Sequence, residues 1–129
     1  MGVMYSLPSY KYYELQNKMK CEIILINTMP IHKQDCLIKN TIKAFIEEEY
    51  INKLLKTNKS KESEIIIYGI HHTDVSVIKK YNQLKKLGFK KVFIYFGGMY
   101  EWLLLQEVFG TINFQTDGNI KNIVEYKIE

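Results

Sequence analysis

Arginine is absent from this 129-residue chain, and the net charge of +4 rests on lysine alone, 18 residues of it. Lysine attracts phosphate as a point charge, but the planar fork that grips phosphate or thiosulfate through two bonds is missing. A diffuse lysine excess describes a solvated surface better than a nucleic-acid footprint, so nucleic acid is not an expected partner. Cysteine is scarce: Cys21 and Cys36 are too few and too widely spaced for a disulfide framework, and in a reducing compartment both are thiols. His32 and Cys36 stand four apart, yet no second pair of ligand-type residues has matching spacing, so neither a metal site nor a cofactor is expected. Long apolar runs are lacking as well. Those at 23–26 and 102–105 fall far short of the roughly 20 residues that cross a bilayer, and residues 1–20 lack the apolar stretch of a signal peptide. These absences lead to an expectation of a soluble, cytoplasmic chain with no membrane attachment.

What is present is a hydrophobic fraction of 47%, enough to bury a core, in a length that suits one domain over 1–129. Residues 9–20 have apolar positions at 12, 15 and 19 and a cap candidate in Ser9, the pattern of a short amphipathic helix. Residues 21–27 contain Ile23-Ile24-Leu25-Ile26, apolar on both faces as a central parallel strand requires. Residues 28–34, with Pro30 and His32, read as a loop that Asn27, Gln34, Asp35 and Asn40 could hold. Leu37-Ile38 and Thr41-Ile42 suit one or two short extended pieces.

A helix is expected over 47–56, with Glu47, Glu48 and Glu49 in its first turn, Lys53 and Lys56 in its last, and Ile51, Leu54 and Leu55 inward. Residues 57–63 form a solvated loop. Residues 65–68 make a second all-apolar strand. A helix capped by Thr73 or Asp74 then buries Val75, Ile78, Tyr81 and Leu84, and exposes Lys79, Lys80, Lys85 and Lys86. Leu87-Gly88-Phe89 stops it, with Gly88 free to turn left-handed. A third strand spans 92–96, and Gly97-Gly98 leads into a helix over 100–109. That helix is apolar nearly all round: it is buried on two sides, or one face docks a partner. Beyond Gly110, residues 111–119 read as a surface loop and 120–128 as a short strand or helix.

The order strand, loop, lysine-rich helix, Leu87-Gly88-Phe89, strand and Gly97-Gly98-Met99-Tyr100-Glu101-Trp102 resembles a rhodanese-like domain. Residues 23–27 are similar to the family's Ile-Asp-Val-Arg segment, with Asn27 near its acidic position. The fold so implied is α/β, a mainly parallel sheet with helices on both faces. The resemblance also implies an active-site loop at 69–74, where active members carry a sulfur-accepting cysteine at the strand end and an arginine five residues later. Here Gly69 and Asp74 stand at those positions. Glycine supplies no sulfur, and Asp74 would oppose an incoming anion in a cradle of N–H groups and a helix N-terminus. Rhodanese-like chains also occur in large DNA viruses, and a composition in which lysine, isoleucine and asparagine supply 45 residues is compatible with such an origin.

The expected function is therefore a catalytically silent rhodanese-like module that acts by binding, regulation or assembly. Its degenerate loop comprises Gly69, Ile70, His71, His72, Thr73 and Asp74, in which the two histidines are the remaining groups able to bind an anion or relay a proton. Thr73 and Ser76 are hydroxyls without an identified base and suit capping. The alternative is a thiosulfate sulfurtransferase or persulfide carrier using a displaced cysteine, Cys36 or Cys21. The expected partner is an unidentified protein or a second copy, meeting Tyr100, Leu104, Leu105 and Phe109 of the last helix.

Overall fold

A computed structural model describes residues 6–118 and 122–127. Three apolar segments form a parallel sheet in the order β1 (Ile24–Asn27), β3 (Glu64–Tyr68), β4 (Lys91–Tyr95), with β3 central. Ile24 pairs with Ile65 and Ile65 with Val92, so the three strands run in step. Both outer edges are continued by isolated parallel bridges, Thr41 beside Leu25 and Ser9 beside Ile94. A second, antiparallel pair joins β2 (Leu37–Ile38) to β5 (Thr116–Asp117).

The alternation of side chains along a strand sorts the apolar residues into two cores. Leu25, Ile66, Tyr68 and Tyr95 face one side, where Leu15 of α1 (Tyr12–Lys18) and Met99, Trp102 and Leu103 of α4 (Gly98–Phe109) cover them. Ile26, Ile65, Ile67, Val92 and Ile94 face the other, under Ile51 of α2 (Ala44–Lys56) and Val77, Tyr81 and Leu84 of α3 (Ser76–Lys86). Because both faces are covered, the strands are apolar throughout rather than alternating. The expected α/β architecture, a mostly parallel sheet between helices, is the one observed.

The departures are local and have physical causes. Ser9 does not cap α1: it lies along β4, where the Tyr10 amide donates to the Ile94 carbonyl at 2.9 Å. Lys11 takes the cap position and its amide donates to the Glu14 carboxylate at 2.9 Å. The first strand starts at Ile24, three residues after the exposed Cys21. α2 begins at Ala44, before the acidic run, and Ile51 is its buried residue. α3 begins at Ser76, so Val75 is 67% exposed while Val77 turns inward. Of the expected stripe, Tyr81 and Leu84 are buried and Ile78 packs against the core, while Val77 takes the place of Val75 because the turn before it is fixed by Asp74.

The segment 111–119, expected as loop alone, contains β5, whose two residues are too short to carry a period. Gly88 has the expected left-handed conformation, with φ 106°. Ile123–Tyr126 forms a 3-10 turn with Tyr126 buried, which replaces the strand or helix expected over 120–128. Residues 120, 121 and 128 of that stretch lie outside the described residues.

Candidate functional site

β3 ends inside the protein. Tyr68 is fully buried, and its hydroxyl accepts from the Ile38 amide at 3.0 Å and lies 2.7 Å from Thr41 Oγ1. Thr41 donates its own proton to the Ile38 carbonyl at 2.6 Å, so Tyr68 is the donor to Thr41. Burial pushes the Tyr68 phenol well above its usual pKa. This network ties the end of β3 to β2 and fixes where the following loop begins.

The loop is pinned from two sides. On one, the first turn of α4 donates into it: Met99 N–H to the Gly69 carbonyl at 2.9 Å and Tyr100 N–H to the Ile70 carbonyl at 2.8 Å. These are amides that a helix start leaves without partners of its own. The approach is close enough to require glycine at 98, where φ is 72° and a Cβ would stand 2.9 Å from both the Gly69 carbonyl oxygen and the His71 nitrogen. Sequence reading gave this Gly-Gly pair a turning role; the packing of Gly98 on the loop backbone is the stricter demand.

On the other side Asp74 folds back over Gly69. Its Oδ2 accepts from the Ile70 amide at 3.0 Å, and its Oδ1 accepts from the Ser76 amide at 3.0 Å and the Ser76 hydroxyl at 2.6 Å. Since Ser76 gives its proton to Asp74, Thr28 donates to Ser76, across 2.6 Å. Thr28 is held in turn by its amide on the Tyr68 carbonyl at 3.0 Å. The Asp74 carboxylate fills the space a side chain at 69 would occupy: a Cβ built on Gly69 meets Oδ2 at 2.5 Å and Cγ at 2.9 Å. Gly69 is therefore small because Asp74 is there.

Of the six loop residues singled out from sequence, Gly69, Ile70 and Asp74 converge. Thr28 and Ser76 join them, and Thr28 was missed because its place beside the loop comes from the pairing of β1 with β3. His71 is half-buried, with Nδ1 2.9 Å from Thr73 Oγ1, and His72 and Thr73 are exposed. Ser76 has a carboxylate beside it after all, but that carboxylate is already engaged by the Ser76 and Ile70 amides.

Cys36 is buried, with its sulfur 4.0 Å from the Gly118 carbonyl, and burial pushes its thiol pKa up. Its hydrogen-bonding neighbour lies beyond β5 rather than in the loop. Cys21 is exposed just past α1. The four residues expected to form an interface divide: Tyr100 and Leu105 pack against the core, whereas Leu104 and Phe109 are exposed.

Sequence reading also missed Glu101. Its Oε1 accepts from the buried Tyr95 hydroxyl at 2.6 Å, and burial together with that carboxylate drives the Tyr95 pKa far up. The same carboxylate lies against Gly97, where a Cβ would collide with it. A glutamate four residues after a strand-ending glycine is the only sequence signal of this pair.

The fold is similar to that of the Alr3790 protein from Anabaena sp., with a TM-score of 0.62, 18% identity and coverage of 90% of this chain and 97% of that one. The BH2092 protein from Bacillus halodurans is similar at a TM-score of 0.64 and 21% identity, covering 91% of this chain and 81% of that one. A complex of EanB with hercynine is similar over 89% of this chain and 28% of that one, at 15% identity and a TM-score of 0.61. At such identities the likeness is one of fold. No curated protein matches the sequence significantly. The sequence itself matches the rhodanese-like domain over residues 13–105, most of its length, and so the chain belongs to the rhodanese-like domain family.

Proposed function

We propose that this rhodanese-like domain is catalytically silent and acts as a binding, regulatory or assembly module. The observation that carries this reading is the seat of the Asp74 carboxylate, within 2.5 Å of where a Cβ on Gly69 would stand. Sulfur transfer in the family needs a thiolate at that place, stabilised by the surrounding N–H groups. Here the place holds no thiol, and the Ile70 and Ser76 amides already serve a carboxylate of the chain itself. A displaced nucleophile gains no support from Cys36, whose buried thiol resists ionisation. Among the described residues no helix is long and apolar enough to cross a membrane, and a cytoplasmic site of action is part of the same proposal. The test is sulfur transfer from thiosulfate to cyanide by the purified chain. Rates at the uncatalysed background are expected, and turnover abolished by changing Cys36 or Cys21 would overturn the reading.

A second copy is the other partner that an observation favours, because Leu104, Val108 and Phe109 are 42%, 73% and 55% exposed on α4. Leu104→Glu is then expected to turn a dimer into a folded monomer, read by sedimentation. A monomer at every concentration of the unmodified chain would end this second reading.

A further inference from the structure

Away from the loop, α1, Lys39-Asn40 and the segment 112–115 line an open cavity of about 480 Å3, a size that suits a ligand or a short peptide stretch. Lys20, Lys39, Asn17, Asn40 and Gln115 line it, and none of these five side chains has a hydrogen-bond or ion-pair partner among the described residues. No aspartate or glutamate lines it. Asp117, close by on β5, directs its carboxylate to the Asn40 amide at 2.9 Å. Beside it lies a smaller hollow of about 230 Å3 lined by Tyr12, Phe109 and Phe114. Gln16 and Asn113 line both, and Gln16 Nε2 donates to the Asn113 carbonyl at 2.8 Å. Tyr13, Phe109 and Ile112 stand exposed around the rim.

We propose that this groove docks an acidic peptide segment of a partner protein. A bulky apolar side chain of the segment enters the hollow at Tyr12, Phe109 and Phe114, and its carboxylates meet Lys20 and Lys39. Two features select that occupant. Two ammonium groups without an opposing acid attract negative charge and set the orientation of an acidic partner. Side-chain carboxamides both donate and accept, which matches the alternating N–H and C=O groups of a peptide backbone.

This inference rests on the binding-module reading above and names its partner class. The test selects from random displayed peptides on the immobilised full chain, then measures the enriched peptides against Lys20→Glu/Lys39→Glu. Enriched peptides with net negative charge and at least one Leu, Phe or Trp are expected, and the double reversal should weaken them about tenfold or more. Both lysines are exposed, and an unchanged melting transition confirms that the variant folds. Neutral or basic peptides, no enrichment at all, binding indifferent to the charge reversal, or self-association lost in the same variant would each overturn the proposal. The intact mass after thiosulfate separates the two claims. A failed selection with unmodified mass removes the groove and leaves the silent module standing, whereas a persulfide removes the silent module whatever the peptides do.

Discussion

Replacing Gly69 by alanine adds one methyl group, and the structure says where it goes: against Asp74 Oδ2 at 2.5 Å, Asp74 Cγ at 2.9 Å and Val77 Cγ1 at 3.1 Å. Gly69 does not have the positive φ that disfavours a side chain, so the backbone itself accepts alanine. On the unfolded-state side the change is worth ~0.4–1 kcal/mol of stabilisation. To make room, the Asp74 side chain must leave its seat. That takes the acceptor from the Ser76 amide at the start of α3, ~1–2 kcal/mol, and from the partly buried Ile70 amide, a further ~1–2 kcal/mol. The net expectation for Gly69→Ala is a loss of about 1–3 kcal/mol. In an Asp74→Ala background those bonds are already gone, so the same methyl is expected to be neutral or slightly stabilising. Urea unfolding of the four proteins of this cycle, followed by Trp102 fluorescence and far-ultraviolet circular dichroism, then gives a coupling near 2 kcal/mol between positions 69 and 74. Additivity within about 0.5 kcal/mol would refute the seating of the carboxylate against Gly69.

Gly98→Ala is expected to lose about 3 kcal/mol, because φ of 72° strains any Cβ and this one meets loop backbone rather than a movable side chain. Denaturation midpoints check it, and a neutral result would mean that α4 does not press on the loop. Tyr68→Phe should cost ~1–3 kcal/mol by leaving the Ile38 amide without its acceptor. The pKa values of Tyr68 and Tyr95 are raised by burial, so both phenols stay protonated in the folded chain at a pH where the unfolded chain ionises them. Stability is therefore fully present below the ordinary tyrosine value of 10.0 and falls above it, by roughly 1.4 kcal/mol per pH unit for each phenol. The slope of stability against pH should shrink in Tyr68→Phe. With iodoacetamide, Cys21 is expected to alkylate in the native chain and Cys36 only after unfolding; equal rates in the native state would contradict the burial of Cys36.

The three strands of the parallel sheet were legible because Ile23-Ile24-Leu25-Ile26, Ile65-Ile66-Ile67 and Val92-Phe93-Ile94 leave few other uses for so much contiguous apolar surface; their order, with the 64–68 strand central, was not, because it depends on pairing between segments distant in sequence. The helix stop at Gly88 was legible for a related reason, since a left-handed residue after a periodic run has few alternatives. The start of α3 was not, because Val75 and Val77 both fit a helical stripe, and the choice between them depends on how Asp74 closes the turn. β5 was hidden by its length. The sequence marked Asp74 as a charge reversal that repels incoming anions, but not as the group seated in the loop. That seat depends on the Ile70 amide four residues back and the Ser76 amide two residues on, which converge only once α4 has packed against the Gly69 and Ile70 carbonyls. Thr28 and Glu101 escaped for the same reason: each acts through a partner brought in by tertiary packing.

The most direct test of a silent loop is the intact mass of the native chain after incubation with thiosulfate. The unmodified mass is predicted, because position 69 offers no thiol and the buried Cys36 thiol resists ionisation. One added sulfur atom on Cys36 or Cys21, removed again by cyanide, would contradict it.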